Sequence, residues 1–213
     1  MAKISAPERL MIDGPVGRLE AIYERPVDTP LLGCAVVCHP HPLYGGSMTN
    51  KVAHTLARAF VRVGFSALRF NFRGVGSSDG EYDEGNGESK DALAAIDWLR
   101  LRDAGVPLWS SGFSFGAAIA IRAAMGAEVD GLISVAPAVS RFASGPKLQP
   151  DCPWLVIQGD QDELVSVDET VAWVNGLEPG PELLIVPGAE HFFHGRLNDL
   201  RAAAMAFIAA NRT

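Results

Sequence analysis

Short apolar runs alternate with longer amphipathic runs along most of this chain. Near the start, two runs of alternating polar and apolar residues, 9–13 and 18–26, flank a Gly-Pro-Val-Gly turn and predict a β-hairpin. Six further apolar runs predict buried strands, at 33–40, 65–74, 106–113, 129–137, 152–160 and 181–188. Helical spacing of apolar residues predicts five helices, at 48–64, 88–105, 114–127, 167–177 and 195–212.

The order of these elements predicts the fold class. Strands alternate with helices from residue 33 onward, which favours a mostly parallel, twisted sheet with helices on both faces and the antiparallel hairpin at its N-terminal side. No linker-like stretch or internal repeat interrupts the alternation. We therefore expect a single α/β domain over residues 1–213.

Composition and charge narrow the class of partners. Hydrophobic residues make up 48% of the chain and charged residues 20%, which is typical of a globular protein. The net charge of −7 disfavours binding to nucleic acids or anionic membranes, because both reward clusters of Lys and Arg. No apolar run approaches the ~20 residues of a membrane span, and the N-terminus lacks the pattern of a signal peptide. These features predict a cytoplasmic protein with neither kind of partner.

The cysteines do not suggest a disulfide framework. There are three of them, Cys34, Cys38 and Cys152, and an odd number at scattered spacing is not typical of paired thiols. Cys34 and Cys38 lie in an apolar run, so we expect buried free thiols there.

A Gly-x-Ser-x-Gly pattern occurs twice, as GSSDG at 76–80 and as GFSFG at 112–116. A nucleophile elbow requires a strand that runs into a tight turn and then a helix. Ser114 has a predicted strand before it and a predicted helix after it, whereas Ser78 is followed by the polar stretch EYDEGNG. We therefore predict that Ser114 is a nucleophile. The alternative for Ser114 is that a small residue simply fits a turn between strand and helix.

A nucleophilic serine needs a base and an acid that orients the base. The loop after strand 152–160 offers Asp160, Asp162 and Glu163, and the loop after strand 181–188 offers His191 and His194. We favour Asp162 and His191, since Asp160 at the strand end is better placed to accept backbone N–H groups and His194 adjoins the last helix. The order Ser, Asp, His is the one used by strand–helix folds with this elbow.

An oxyanion hole needs two N–H donors. One is expected from the backbone of Phe115, the residue after the serine, and the other from the loop HPHPLYGG after the first parallel strand. Proline has no N–H, so the second donor is His41, Leu43 or Tyr44, with His41 slightly favoured. Leu43, Tyr44 and Phe192 are also predicted to form the wall of a substrate pocket.

The side chains of His39 and His41 could instead bind a metal ion, because imidazole is a common metal ligand. Only Cys38 lies nearby as a third ligand, so the sequence favours a site without a metal or another cofactor.

Four segments, GFSFG, GDQDELV, GAEHFF and HPHPLYGG, resemble those of the α/β-hydrolase superfamily. The chain is similar over about residues 8–212 to small bacterial hydrolases related to the dienelactone-hydrolase branch. FNFRGVGSSDG resembles a segment that follows a strand in this superfamily, which implies a structural role for Ser78. Dienelactone hydrolases use a cysteine nucleophile, whereas this chain has Ser114. About fifteen residues separate Pro137 from Pro153, which leaves no room for the large helical lid of many members.

These features predict a serine hydrolase that cleaves carboxylic esters of small or exposed acyl groups. A thioesterase or a peptidase would use the same triad, and a catalytically silent binding module would lack one of its members. A metal hydrolase using His39 and His41 is a further alternative. The expected partner is a small-molecule ester, and the sequence is compatible with a homo-oligomer.

Overall fold

A computed structural model describes residues 2–142 and 149–212, so most of the predicted loop 143–152 lies outside the described residues. Eight strands form one sheet. Their bounds are β1 Glu8–Gly14, β2 Gly17–Glu24, β3 Gly33–Cys38, β4 Phe65–Phe70, β5 Leu108–Phe113, β6 Gly131–Val135, β7 Trp154–Gly159 and β8 Glu182–Val186. The α-helices are α1 Lys51–Arg62, α2 Asn86–Arg102, α3 Phe115–Gly126, α4 Val139–Phe142, α5 Val167–Asn175 and α6 Leu197–Asn211.

The strand order is β1-β2-β4-β3-β5-β6-β7-β8. β1 and β2 form an antiparallel hairpin, and β2 is also antiparallel to β4. Every other neighbouring pair is parallel. The predicted mostly parallel sheet with an N-terminal hairpin is thereby confirmed, and its parallel strands bring their carboxyl ends to one edge, where ligands bind in open α/β sheets.

Helices cover both faces of the sheet, as predicted. On one face, buried residues of α2 and α3 such as Ile96 and Ile119 pack against strand residues such as Leu68. On the other face, α1 and α6 contribute Phe60 and Ile208 to a second cluster. Within the described ranges, no helix combines the length and the apolar character needed to cross a bilayer.

Some element ends differ from the prediction for local reasons. The helix predicted to begin at residue 48 begins at Lys51, because the Asn50 side chain accepts N–H groups of Val52 and Ala53 at 2.9 and 3.2 Å. The strand predicted for 65–74 ends at Phe70. The short helix Val139–Phe142 was not predicted.

The loop after β4 contains the second Gly-x-Ser-x-Gly, and its serine has a structural role. Ser78 is only 8% exposed. Its Oγ accepts the N–H of Glu20 at 2.9 Å and donates to the carbonyl of Asn71 at 2.8 Å. Ser78 therefore fastens the loop to the N-terminal hairpin.

The same loop is held to α2 by a buried ion pair. The Arg73 side chain, 7% exposed, donates to the carboxylate of Asp91, 0% exposed, from Nε at 2.9 Å and from Nη2 at 2.7 Å. The Arg73 backbone N–H donates to the same carboxylate at 3.1 Å. The pair satisfies two groups that would otherwise be costly to bury.

Asp91→Ala should lower the free energy of unfolding by about 3–5 kcal/mol, because it leaves the Arg73 guanidinium buried without a counter-charge. Urea unfolding followed by circular dichroism measures the change. Asp199→Ala is the control, since the Arg196–Asp199 pair is about half exposed and should contribute no more than ~1 kcal/mol. Equal losses in the two variants would contradict the assignment.

Candidate active site

The backbone at Ser114 forms a sharp turn between β5 and α3. Ser114 has φ 57° and ψ −119°, a left-handed conformation that a residue with a side chain rarely adopts. Its N–H donates to the carbonyl of Val135 at 2.8 Å, which fixes the turn to the end of the neighbouring strand β6. The half-buried serine is thus held at the carboxyl edge of the sheet.

The glycines on either side of Ser114 are required by close backbone contacts. A Cβ atom at Gly112 would lie 2.2 Å from the carbonyl oxygen of Gly116. A Cβ atom at Gly116 would lie 2.3 Å from the carbonyl oxygen of His39. The motif therefore reflects the close approach of α3 to β5 and to the end of β3.

The structure brings Ser114, His191 and Asp162 together from three separate loops. His191 Nε2 lies 3.1 Å from Ser114 Oγ. His191 Nδ1 lies 2.8 Å from Asp162 Oδ2 and 3.0 Å from Oδ1. The side chains of His191 and Asp162 are 3% and 0% exposed. The three groups form a continuous hydrogen-bonded chain that is shielded from water up to the serine.

Asp162 is held as an anion. Burial acts to raise the pKa of Asp162, but hydrogen bonds from His191 and from the backbone of Val165 and Leu164 lower it below its usual value. The two backbone N–H groups donate to Oδ1 at 2.8 and 2.9 Å. The ionised carboxylate of Asp162 accepts a hydrogen bond from the protonated Nδ1 of His191. The other ring nitrogen, Nε2, then faces Ser114.

Gln158, a buried residue of β7, supports this carboxylate and was not predicted from the sequence. Its Nε2 donates to Asp162 Oδ2 at 2.9 Å and to the Val165 carbonyl at 3.1 Å. Its Oε1 accepts the hydroxyl of Thr170 on α5 at 3.3 Å. In the sequence, Gln158 is visible only as a polar residue that follows four apolar ones, Trp-Leu-Val-Ile, near the end of the strand. This pattern does not reveal the partners of its side chain.

The other candidate acid and base lie apart from the serine. Asp160 Oδ1 accepts the N–H of Gly188 at 2.7 Å, the turn-satisfying role expected for it. His194 has a side chain that is 62% exposed, and its ring contacts the carboxylate of Glu190. Neither residue takes part in the hydrogen-bonded chain.

His39 is engaged by the backbone and is poorly suited to bind a metal. It is fully buried, and its Nδ1 lies 2.6 Å from the carbonyl of Pro40. Its Nε2 accepts the N–H of Phe72 at 3.0 Å, which assigns the proton to Nδ1. Burial lowers the pKa of His39 to about 4, so the ring is neutral at neutral pH. Across residues 2–142 and 149–212, no group of three His, Cys, Asp or Glu side chains could hold a metal ion.

The loop predicted to supply the second oxyanion donor forms a single 3-10 turn, Pro42–Tyr44. The N–H of Leu43 donates to Nδ1 of His41 at 3.3 Å, and the N–H of Tyr44 donates to the His41 carbonyl at 3.2 Å. His41 Nε2 lies 3.1 Å from the Tyr82 hydroxyl. The N–H groups of Leu43 and Tyr44 thus both donate within the turn.

A cavity of about 480 Å³ opens beside Ser114 and His191. His41 and Tyr44 line it on the side of the 3-10 turn, and Phe192 lines it next to His191. The side chain of Leu43 is 67% exposed and is not among those that line the cavity, so its place in the substrate pocket stays a prediction. The turn that uses its N–H also leaves its side chain in solvent.

The fold places this chain among the serine hydrolases of the α/β-hydrolase superfamily. A family model described as serine aminopeptidase, S33, matches residues 36–149, and the chain belongs to this family. The resemblance seen in the sequence is thereby confirmed at the level of the superfamily.

Similar proteins come from several bacteria. An α/β serine hydrolase homologue from Coxiella burnetii is 46% identical, with 93% of this chain and 96% of that chain covered and a TM-score of 0.88. XC6422 from Xanthomonas campestris, a serine hydrolase without a lid, is 41% identical over 97% and 95% of the two chains, with a TM-score of 0.91. The uncharacterized protein RP471 of Rickettsia prowazekii (strain Madrid E) is 36% identical over 94% of this chain and 88% of its own.

Gly116→Ala should destabilise the protein by about 1–3 kcal/mol, because the new methyl group has to displace the backbone of the elbow or of residue 39. Gly126→Ala is the matched control on the same helix, since a Cβ atom there meets only the Leu93 side chain at 3.4 and 3.5 Å. It should be neutral or stabilising by up to ~1 kcal/mol. Urea unfolding compares the two, and similar stabilities would refute the packing argument.

Proposed function

We propose that this chain is a serine esterase that hydrolyses carboxylic esters of small or exposed acyl groups. The observation that carries the proposal is the hydrogen-bonded chain from Asp162 through His191 to Ser114, which ends at a cavity large enough for a small ester. The similarity to XC6422, which is described as lacking a lid, supports a site that is open to substrates without a conformational change.

The geometry suits an acyl-enzyme mechanism. Ser114 Oγ attacks the acyl carbon while Nε2 of His191 takes its proton, and the Asp162 carboxylate stabilises the resulting imidazolium. The imidazolium then protonates the leaving alkoxide as the C–O bond breaks and the alcohol departs. Water attacks the acyl-enzyme by the same route, its proton passes to His191, and the carboxylic acid is released as Ser114 regains its proton.

Two backbone N–H groups would stabilise the negative oxygen of each tetrahedral intermediate. We assign them to Phe115, at the first turn of α3, and to His41, in the loop after β3. Phe115 and His41 both line the cavity beside Ser114, whereas Leu43 does not. Each donor of this kind contributes on the order of 3 kcal/mol to lowering the barrier.

Ser114→Ala should lower kcat/KM for p-nitrophenyl butyrate by at least ~10³-fold and abolish labelling by a fluorophosphonate, because the nucleophile is removed. Ser78→Ala is the control, since it alters the other Gly-x-Ser-x-Gly serine, which binds only the backbone. The folded Ser78 variant should still be labelled. A labelled Ser114→Ala protein, or an unlabelled wild-type protein, would refute the proposal.

The family description names an aminopeptidase, so amide cleavage is the second candidate. The same triad could break an amide, but amides have a higher intrinsic barrier and peptidases offset it with binding energy from remote parts of the substrate. A 480 Å³ cavity at an open edge offers little such contact.

We expect no hydrolysis of L-alanine p-nitroanilide above background under conditions where p-nitrophenyl butyrate is cleaved. Release of nitroaniline or nitrophenol is followed by absorbance, with Ser114→Ala as the blank in both assays. Nitroaniline release that depends on Ser114 would instead assign the chain to the peptidases.

A further inference from the structure

The wall of the cavity beside Ser114 carries a negative charge. Glu169 lines the cavity, and among residues 2–140 and 149–212, whose side chains the structure describes, no Lys or Arg does. The other ionisable groups in its wall are the imidazoles of His41 and His191 and the phenol of Tyr44. This part of the wall therefore presents a carboxylate and no fixed cation to a substrate.

Glu169 is held in a defined position relative to the triad. It lies in the first turn of α5, where its N–H donates to the Ser166 hydroxyl at 3.4 Å. The preceding loop is fastened to Asp162 by the N–H groups of Leu164 and Val165. Among the side chains of residues 2–140 and 149–212, no Lys or Arg forms an ion pair with Glu169, so its charge is not compensated within that part of the chain.

Aromatic faces line the same cavity. Tyr44 is 81% exposed and Phe192 is 38% exposed, and both contribute to the wall. A cation over an aromatic ring is attracted by the electrons of the ring face. Glu163 adds a further carboxylate next to the site, because its Oε2 accepts the N–H of His191 at 3.3 Å. With a net charge of −7, the whole molecule also attracts cations.

We propose that the site selects esters that carry a positively charged group, such as a quaternary ammonium, and that Glu169 is the residue that determines this selectivity. The proposal rests on the proposed esterase function. A substrate anion would approach the Glu169 carboxylate with no cation in the described wall to receive it, whereas an ammonium group would meet that carboxylate and the aromatic faces together.

Two sets of esters of matched shape test the proposal, one with the charge on the acyl group and one with it on the alcohol. The first set comprises p-nitrophenyl esters of 4-(trimethylammonio)butyrate, 5,5-dimethylhexanoate and 4-sulfobutyrate. The second comprises butyrate esters of choline, 3,3-dimethylbutanol and 2-hydroxyethanesulfonate, with release of acid followed by pH-stat. Within each set, the ratio of kcat/KM to that of the neutral ester removes any general effect of a substitution on activity.

In at least one set, the wild-type kcat/KM for the cationic ester should be about three- to fivefold above that for the neutral ester. The kcat/KM for the anionic ester should be about three- to fivefold below it, as expected for a partly solvated charge pair. Glu169→Gln should remove most of each preference, because Glu163 and the aromatic rings remain. Added NaCl should weaken the wild-type preference, because salt screens exposed charges. Asp168→Asn is the matched control, since it removes the same charge from the same helical turn at a residue that does not line the cavity, and it should keep the wild-type ratios.

Equal kcat/KM for the three esters in both sets would overturn the proposal. So would a preference for the cationic ester that is undiminished in Glu169→Gln. So would an equal loss of preference in Asp168→Asn, because it would show that the general field of the protein is responsible. If the neutral esters are not cleaved and Ser114 does not react with a fluorophosphonate, the esterase function itself fails. Ser114-dependent cleavage of the neutral esters without charge selectivity overturns the role of Glu169 alone.

Discussion

The carboxylate of Asp162 is shielded from solvent and yet carries a charge, and the rest of the site depends on how that charge is satisfied. Its oxygens accept hydrogen bonds from the amide of Gln158, from two backbone N–H groups of its own loop and from the ring of His191. A buried charge is tolerated only with such partners. The same bonds fix the tautomer of the ring, so that the nitrogen facing Ser114 is free of a proton and can act as a base.

The strained turn at Ser114 is maintained by the packing around it. A positive φ at a serine costs on the order of 1–3 kcal/mol, and it persists where neighbouring structure leaves no alternative. Here the hydrogen bond from the Ser114 N–H to the Val135 carbonyl fixes one side of the turn, and the contact of Gly116 with the backbone of His39 fixes the other. The strain and the glycines therefore have one cause, which is the short distance between α3 and the sheet. That distance keeps the hydroxyl within 3.1 Å of the imidazole.

Much of this arrangement could be predicted because it follows from chain order. Alternating strands and helices predict the parallel sheet, and the loops after its strands must then meet at one edge, which selects Ser114, Asp162 and His191. Features that depend on side-chain geometry could not be predicted in this way. Gln158 differs from any other polar strand residue only in the partners that it contacts, and the exposure of Leu43 follows from a single 3-10 turn.

The carboxylates of Asp162 and Glu169 lie close together along the chain but have different surroundings. We therefore propose different roles for them, one in proton transfer and one in substrate selectivity. The charge of Asp162 is fully engaged in holding and stabilising an imidazole, and water does not reach it. Glu169 lies one short loop further along, at an exposed position in the wall of the cavity, without an ion pair in the described ranges. Because an exposed carboxylate contributes only through a ligand that comes close to it, Glu169 can influence which ester binds while leaving the proton transfers to the buried chain. Under the proposed selectivity, Glu169 therefore distinguishes esters by a charged group away from the scissile bond and not by the bond itself.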